Sequence, residues 1–235
     1  MYKMDNKIFY SAGFYLVEGA LRYEWQNERI IPPTLFSMSD CICEKFPQYW
    51  SYQEGNEAIE KAMMVAEKYN IDWILLENLE KEIKKEDDKN FGFPNLFFNK
   101  NTAKAYYNKY FGKIKIIKLL EPGIELEYLQ EIKLTAGNDN WGPIMKIKEN
   151  TGVDQSGKII GFDVVGYFCG WSDSFLCNRL EEDYKNKFGF ELNEFGLFDD
   201  YDKAKIAATY NMSGEAKTED ILWIPWIIYE HSLEK

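Results

Sequence analysis

A short block of residues occurs twice in this chain, about a hundred positions apart, and this recurrence constrains the fold more than any other feature. Leu96-Phe97 is followed, seven residues after the leucine, by Ala103-Lys104. Leu197-Phe198 is followed at the same spacing by Ala204-Lys205. Each Ala-Lys block lies in a segment with the apolar spacing of a helix, and an isoleucine-rich segment typical of a strand comes after it.

Other blocks recur in the same order. Phe91-Gly92-Phe93 and Phe188-Gly189-Phe190 lie upstream of the two Leu-Phe pairs, and Ser39-Asp40 and Ser172-Asp173 lie further upstream. The repeated order predicts an α+β fold made of two pseudo-repeated lobes of mixed or antiparallel sheet with packed helices. Coincidence is the alternative, because the chain is rich in Phe, Lys and Asp.

The recurrence divides the chain into three segments. We expect an N-terminal α+β lobe over residues 1–122, a connector over 123–157 and a C-terminal α+β lobe over 158–235. Pro122-Gly123 predicts a turn at the first boundary.

Local patterns predict the individual elements. Apolar spacing predicts helices over 56–69 and beyond Asp72, and a third helix that begins after Asn99 or Asn101 and ends at Gly112. In the second lobe we expect a strand over 158–169, a helix capped by Ser172 or Asp173, a helix from Asp200 or Asp202, and a last strand over 221–229 in which Pro225 indicates a sheet edge or a bulge.

The charge of the chain bears on its partners. A formal net charge of −11 argues against nucleic acid, which is bound through clustered Lys and Arg. A basic protein would be favoured instead, although acidity also serves solubility alone. No stretch is long and apolar enough to span a membrane, and the segment after the N-terminus does not resemble a signal peptide. We therefore expect a cytoplasmic protein that binds no membrane.

The residues most used in metal and nucleophilic sites are few. Cys41, Cys43, Cys169 and Cys177 match no disulfide framework, so we expect reduced thiols. A zinc site would need these cysteines together with His231, the single histidine. That histidine lies close to the C-terminus, where chains usually fray, and no glycine-rich phosphate motif is present. The sequence therefore predicts no metal and no cofactor, and it favours a protein that is not an enzyme.

Acidic and aromatic residues of the second lobe are the candidate site. Asp199, Asp200 and Asp202 would lie near Asp173 if the lobe folds as expected. Such carboxylates could perform acid–base chemistry or bind calcium, but helix capping also explains them. Trp171 adds aromatic surface at what we expect to be a strand-to-helix loop, and Tyr167 lies near the end of the strand expected before it. An exposed Trp beside acids is typical of a protein-binding hot spot, and core packing is the alternative.

Part of the second lobe resembles bacterial immunity proteins of polymorphic toxin systems. The resemblance lies in four segments within residues 158–229: Gly161 to Tyr167, Ser172 to Asn178, Leu192 to Leu197, and Leu222 to Trp226. It implies a cytoplasmic antidote that binds a toxin domain and blocks its active site. No binding residue is carried over position by position.

We therefore expect an immunity-type antidote whose partner is a basic toxin domain and whose partner-binding residues are Trp171, Asp173, Asp199, Asp200, Asp202 and Tyr167. An acidic inhibitor can be steered onto a basic target. Two alternatives stay open. One is an enzyme with a carboxylate-lined pocket built from the same acids, and the other is a non-catalytic scaffold subunit with an oligomer interface.

Overall fold

Two long strands, β6 (Ile117–Glu125) and β9 (Leu222–His231), pair at the centre of a seven-stranded antiparallel sheet in the computed structural model of the chain. The structure describes residues 7–18, 20, 21, 34–36, 44–46, 63, 67, 70, 97, 99–112, 117–129, 152–168, 171–218 and 220–234.

The other described strands are β1 (Phe9–Ser11), β2 (Tyr15–Glu18), β3 (Ala20–Leu21), β4 (Thr34–Leu35), β5 (Glu44–Phe46), β7 (Lys158–Phe168) and β8 (Trp171–Ser174). The order across the large sheet is β5-β2-β6-β9-β7-β8, and β1 also pairs with β6. Strands β3 and β4 form a separate two-stranded sheet. Every described pairing between strands of the large sheet is antiparallel, which fits the α+β class.

Three α-helices with both ends described accompany these strands, and residues 126–129 after β6 are also helical. The three are α1 (Lys100–Tyr106), which continues as a π-helical turn (Tyr107–Phe111), α2 (Glu181–Phe188) and α3 (Tyr201–Met212). Asn99 caps α1 and Asp200 caps α3, each with extended backbone and a side chain that accepts a backbone N–H. The alanines of α3 are fully buried against the sheet, because only small side chains allow such close approach: Ala204, Ala207 and Ala208.

Several sequence predictions are confirmed. A helix begins after Asn99 and reaches Gly112, the strand predicted over 158–169 is β7, and the helix expected near Asp200 is α3. The predicted last strand is β9. The predicted helix over 56–69 and the one beyond Asp72 lie almost entirely outside the described residues, as do the blocks at 39–40 and 91–93.

Three local predictions are wrong. Pro122-Gly123 is not a turn but part of strand β6, so the expected boundary between residues 122 and 123 falls inside that strand. Residues 172–174 form strand β8, and the helix expected from Ser172 or Asp173 begins at Glu181. Pro225 lies in β9, which is not an edge strand because it pairs with both β6 and β7, although Pro225 itself is one residue beyond the last pair with β6.

The core lies between the sheet and helices α2 and α3. Residues Trp223 to Tyr229 are all buried, which requires cover on both faces of the central strand. Phe175, Tyr184 and Phe198 form an aromatic cluster on the helical side, with ring centroids 5.1 to 5.6 Å apart. These contacts join β8, α2 and the segment before α3 to the sheet.

A β-bulge at Gly161 allows the segment before α3 to approach β7. The register of the β7–β9 ladder shifts between Ile159 and Gly161, and Gly161 has a φ of +148°. A Cβ there would lie 2.6 Å from Cβ of Leu197 and 2.9 Å from the carbonyl oxygen of Phe198. Only glycine fits both the backbone conformation and the space.

We therefore expect Gly161→Ala to lower the free energy of unfolding by about 2–5 kcal/mol, from backbone strain and overpacking together. Gly189→Ala is the matched control, because Gly189 also has positive φ, +67°, but nothing lies within 4 Å of the added Cβ. It should cost about 1 kcal/mol, because a residue with a Cβ disfavours the left-handed conformation. Urea unfolding measures both, and equal losses would contradict the steric account.

Candidate functional site

One edge of strand β7 carries three segments in succession. Phe162 exchanges two backbone hydrogen bonds with Phe198, at 2.9 Å each. Two residues further along, the carbonyl of Val164 accepts from the N–H of Phe175 at 2.8 Å. Strand β8 then pairs with β7 from Val165 to Phe168. The segment before α3 and the β8 strand therefore lie along the same edge.

This arrangement brings the predicted acids to one edge of the sheet. Asp199 and Asp200 directly follow Phe198, and Asp202 is in the first turn of α3. Asp173 pairs with Gly166, four residues along β7 from Phe162, so about 13 Å of strand separates the two attachment points. All four acids are exposed. We call Asp173, Asp199, Asp200 and Asp202 the acidic edge.

Asp200 has a defined structural task within the acidic edge. Its carboxylate accepts the backbone N–H of Asp202 at 2.7 Å and that of Lys203 at 3.2 Å, which satisfies two free donors at the start of α3. Within the described part of the chain, no ion pair involves Asp199, Asp200 or Asp202. Their negative charge is therefore not neutralised by a neighbouring lysine or arginine there.

Buried polar residues hold the acidic edge in place. Asp163 of β7 is fully buried, and its carboxylate accepts the hydroxyl of Ser174 at 2.7 Å and the N–H of Val164 at 2.8 Å. Asn193 donates to the carbonyl of Ile160 at 2.8 Å and accepts from two N–H groups of its own loop. Because these bonds fix β8 and the loop to β7, the acids are presented on a rigid support.

The two predicted aromatic residues lie on the same hairpin. Tyr167 pairs with Ser172, and Phe168 with Trp171. Trp171 is thus in a strand and not in the predicted strand-to-helix loop. The side chains of Tyr167 and Trp171 lie outside what the structure describes.

A second polar cluster is buried at the end of the central ladder. His231 Nε2 lies 2.7 Å from a carboxylate oxygen of Glu121, and their side chains are 2% and 1% exposed. The backbone N–H of Asp154 donates to both oxygens of Glu121, at 3.2 and 3.1 Å. A Cβ on Gly157 would lie 2.7 Å from the His231 ring, so the glycine allows its loop to cover the histidine.

The acidic edge and the buried pair differ in what they can do. The pair is sealed from solvent, so it stabilises the fold and does not reach a substrate. The acidic edge is open and can attract a cationic surface. Among the described residues there is no group of three or more His, Cys, Asp or Glu that could hold a metal ion.

The sequence did not reveal the buried pair. His231 was expected in a frayed terminus, but it ends strand β9 and is buried. The available signal was Glu121 inside the apolar run of β6, because a buried carboxylate needs a partner.

Cys177 is disulfide-bonded, so the expectation of four reduced thiols is wrong for this residue. The other three cysteines lie outside the described residues.

No protein-family model, curated protein or solved structure matches this chain. In the described part of the chain, no helix has the length and apolar character needed to cross a membrane.

We expect His231→Ala to lower the free energy of unfolding by about 3–5 kcal/mol, because it removes the side-chain partner of the buried Glu121 carboxylate and leaves that carboxylate only the backbone N–H of Asp154. Glu191→Ala is the control: it removes an ion pair with Lys185 whose glutamate side chain is 74% exposed, and it should cost under about 1 kcal/mol. Urea unfolding measures both. Equal effects would show that burial does not make the Glu121–His231 pair important.

Asp154 provides a prediction for acid conditions. A hydrogen bond from the Lys100 ammonium, supported by Ser156, holds the pKa of the Asp154 carboxyl well below its ordinary value of 3.8. Since the folded-state pKa is the lower one, this contribution is present above pH 3.8 and is lost as the pH falls below it.

Asp154→Asn should therefore be less stable than the wild type at pH 7, and the difference should shrink below pH 4. Urea unfolding at a series of pH values measures it. A difference that is constant with pH would contradict the assignment to this carboxylate.

Proposed function

We propose that this protein is an immunity-type antidote that binds a basic toxin domain through the acidic edge and blocks the toxin's active site. The observation that carries the proposal is the set of exposed acids on one rigid sheet edge. A negative surface of this kind raises the rate of encounter with a positive partner and fixes its orientation.

The resemblance of residues 158–229 to bacterial immunity proteins supports the same function. Its segments lie in β7, in β8 and the turn after it, in the loop held by Asn193 and in β9, so they include Asp173 and the support of the acidic edge, whereas Asp199, Asp200 and Asp202 lie outside them. The resemblance and the surface charge are separate lines of support, since the matching residues are mostly core residues.

The enzyme alternative has less support from these acids. Asp200 is engaged in capping α3, and about 13 Å of strand separates its segment from Asp173, whereas paired carboxylates in glycosidases lie roughly 5–9.5 Å apart.

The proposal includes a cytoplasmic location and two pseudo-repeated lobes. The disulfide at Cys177 opposes the first, because disulfides are rare in the cytosol. The second is supported by the central antiparallel pairing of β6 with β9, the last described strands of the two expected lobes.

Binding is tested with the terminal domain of the large secreted protein expected from the neighbouring gene. We expect a 1:1 complex whose association rate falls as salt rises. The variant Asp199→Asn/Asp200→Asn/Asp202→Asn should slow association about tenfold or more at low salt. Asn is as good a cap as Asp, so α3 should stay intact.

The matched control removes the same number of charges elsewhere: Glu127→Gln/Glu215→Gln/Glu234→Gln. These carboxylates are also exposed, and Glu215 lies beyond the opposite end of α3. Stopped-flow fluorescence compares the two variants, and circular dichroism checks their folding. If both variants slow association equally, net charge and not the acidic edge steers the partner. If neither the wild type nor a variant binds, the antidote function is wrong.

A further inference from the structure

The two ladders on either side of the central β6–β9 ladder contain the same irregularity. Ser11 of β1 pairs with Gly123 and Tyr15 of β2 pairs with Leu120. Four residue positions from Ser11 to Tyr15 therefore lie opposite three positions of β6. In the second half, Ile159 pairs with Tyr229 and Asp163 with Trp226, which again sets four positions against three. A one-residue bulge therefore interrupts both ladders at the same place.

The residues at the two bulges also correspond. Gly13 has a φ of +118° and Gly161 a φ of +148°, and each precedes a phenylalanine. Phe14 exchanges two backbone hydrogen bonds of 2.8 Å with Phe97, as Phe162 does with Phe198 at 2.9 Å. The first phenylalanine of each half is thus paired with the phenylalanine of its Leu-Phe block.

The helices that follow begin in the same way. Two residues after Phe97 and Phe198 stand the caps Asn99 and Asp200, and each side chain accepts a backbone N–H at 2.7 Å. Four residues after each cap is a fully buried alanine of the repeated Ala-Lys pair. Bulge, bridge, cap and buried alanine therefore recur in one order.

The central ladder relates the two halves by a pseudo-twofold axis. Leu120 and Trp226 are equivalent, because they pair with the second residue after Gly13 and after Gly161. Two residues further along each strand come Pro122 and Ile228, and these two pair with each other. An element that pairs with its own equivalent marks the axis, and the strand order β5-β2-β6-β9-β7-β8 is symmetric about it.

Each helix also contacts the other half. In the repeated Ala-Lys pairs, Lys104 donates to the carbonyl of Glu234 after β9 at 3.1 Å, and Lys205 lies 3.4 Å from a carboxylate oxygen of Glu127 after β6. Tyr201 at the start of α3 donates its hydroxyl to the buried Glu125 of β6. These contacts cross the axis in both directions.

We infer that the described residues within 7–129 and within 152–234 form two half-units related by a pseudo-twofold axis at the Pro122–Ile228 pair, and that each half-unit is the binding partner that completes the other. This deepens the proposal of two lobes: the lobes are interlocked and do not fold separately. It is independent of toxin binding.

The test uses the full chain with a specific protease site inserted within residues 131–150. After cleavage in reducing buffer, so that no disulfide joins the pieces, we expect one 1:1 particle by native mass spectrometry and gel filtration. Hydrogen exchange should show β6 and β9 protected together and losing protection at the same urea concentration. After separation in urea and removal of the denaturant, neither piece alone should protect its strand, and mixing should restore both.

Two outcomes would overturn the inference: the cut pieces part under native conditions, or one piece alone keeps its strand protected. Tyr201→Phe gives a second measurement, because it removes one bond across the axis. It should weaken association of the cut halves about tenfold to a hundredfold, as expected for a buried bond to a carboxylate.

Thr209→Val is the control on the same helix, since its hydroxyl bonds to Lys205 of its own half. Its effect should stay below about threefold, well under the roughly tenfold loss of one charge-assisted bond. If Tyr201→Phe weakens association no more than Thr209→Val, the bond across the axis does not hold the halves together. In the uncut chain, Tyr201→Phe should lower equally the urea concentrations at which β6 and β9 lose their hydrogen-exchange protection. A shift in one strand alone would also contradict interlocking.

Discussion

The antiparallel ladder between β6 and β9 is the interaction on which the rest of the structure depends. It runs from the Leu119–His231 pair to the Ile124–Trp226 pair, and both strands are almost completely buried. Without it, each strand would expose a row of unpaired backbone groups in an apolar core, which is costly. The helices, the outer strands and the acidic edge all attach to strands that this ladder positions.

Buried carboxylates make the register of that ladder specific. Side chains alternate between faces, so a slip of one residue would move Glu121 away from the face that carries His231. The slip would also separate Glu125 from Tyr201, one of the two side chains that donate to its buried carboxylate; Lys7 is the other. Apolar pairs alone tolerate such shifts better. The polar pairs therefore select one alignment of the two halves, whatever their net contribution to stability.

The sequence predicted elements whose signal is local and failed where pairing with distant strands decides. The starts of α1 and α3 were predicted to within two residues, at Asn99 or Asn101 and at Asp200 or Asp202, because capping needs only the next few residues. The predictions made from Pro122 and Pro225 were wrong because the effect of a proline in a strand depends on its pairing with the neighbouring strand. Pro122 lies beside the bulge of the first half, and Pro225 lies one residue beyond the last β6–β9 pair. At both places the ladder needs no N–H from that residue, so a strand can continue through proline.

The predicted acids of the candidate site were the easiest part to find and the hardest to interpret, since capping alone explains an aspartate before a helix. The equivalence of the halves separates the two explanations. Asn99 and Asn101 hold in α1 the positions that Asp200 and Asp202 hold in α3, and both caps make a bond of 2.7 Å. An amide therefore suffices for this cap. Acids near a helix start gain a little from its dipole, but that gain applies to α1 as well. The negative charge at α3 is a feature of one half only, as expected where a surface serves recognition and not folding.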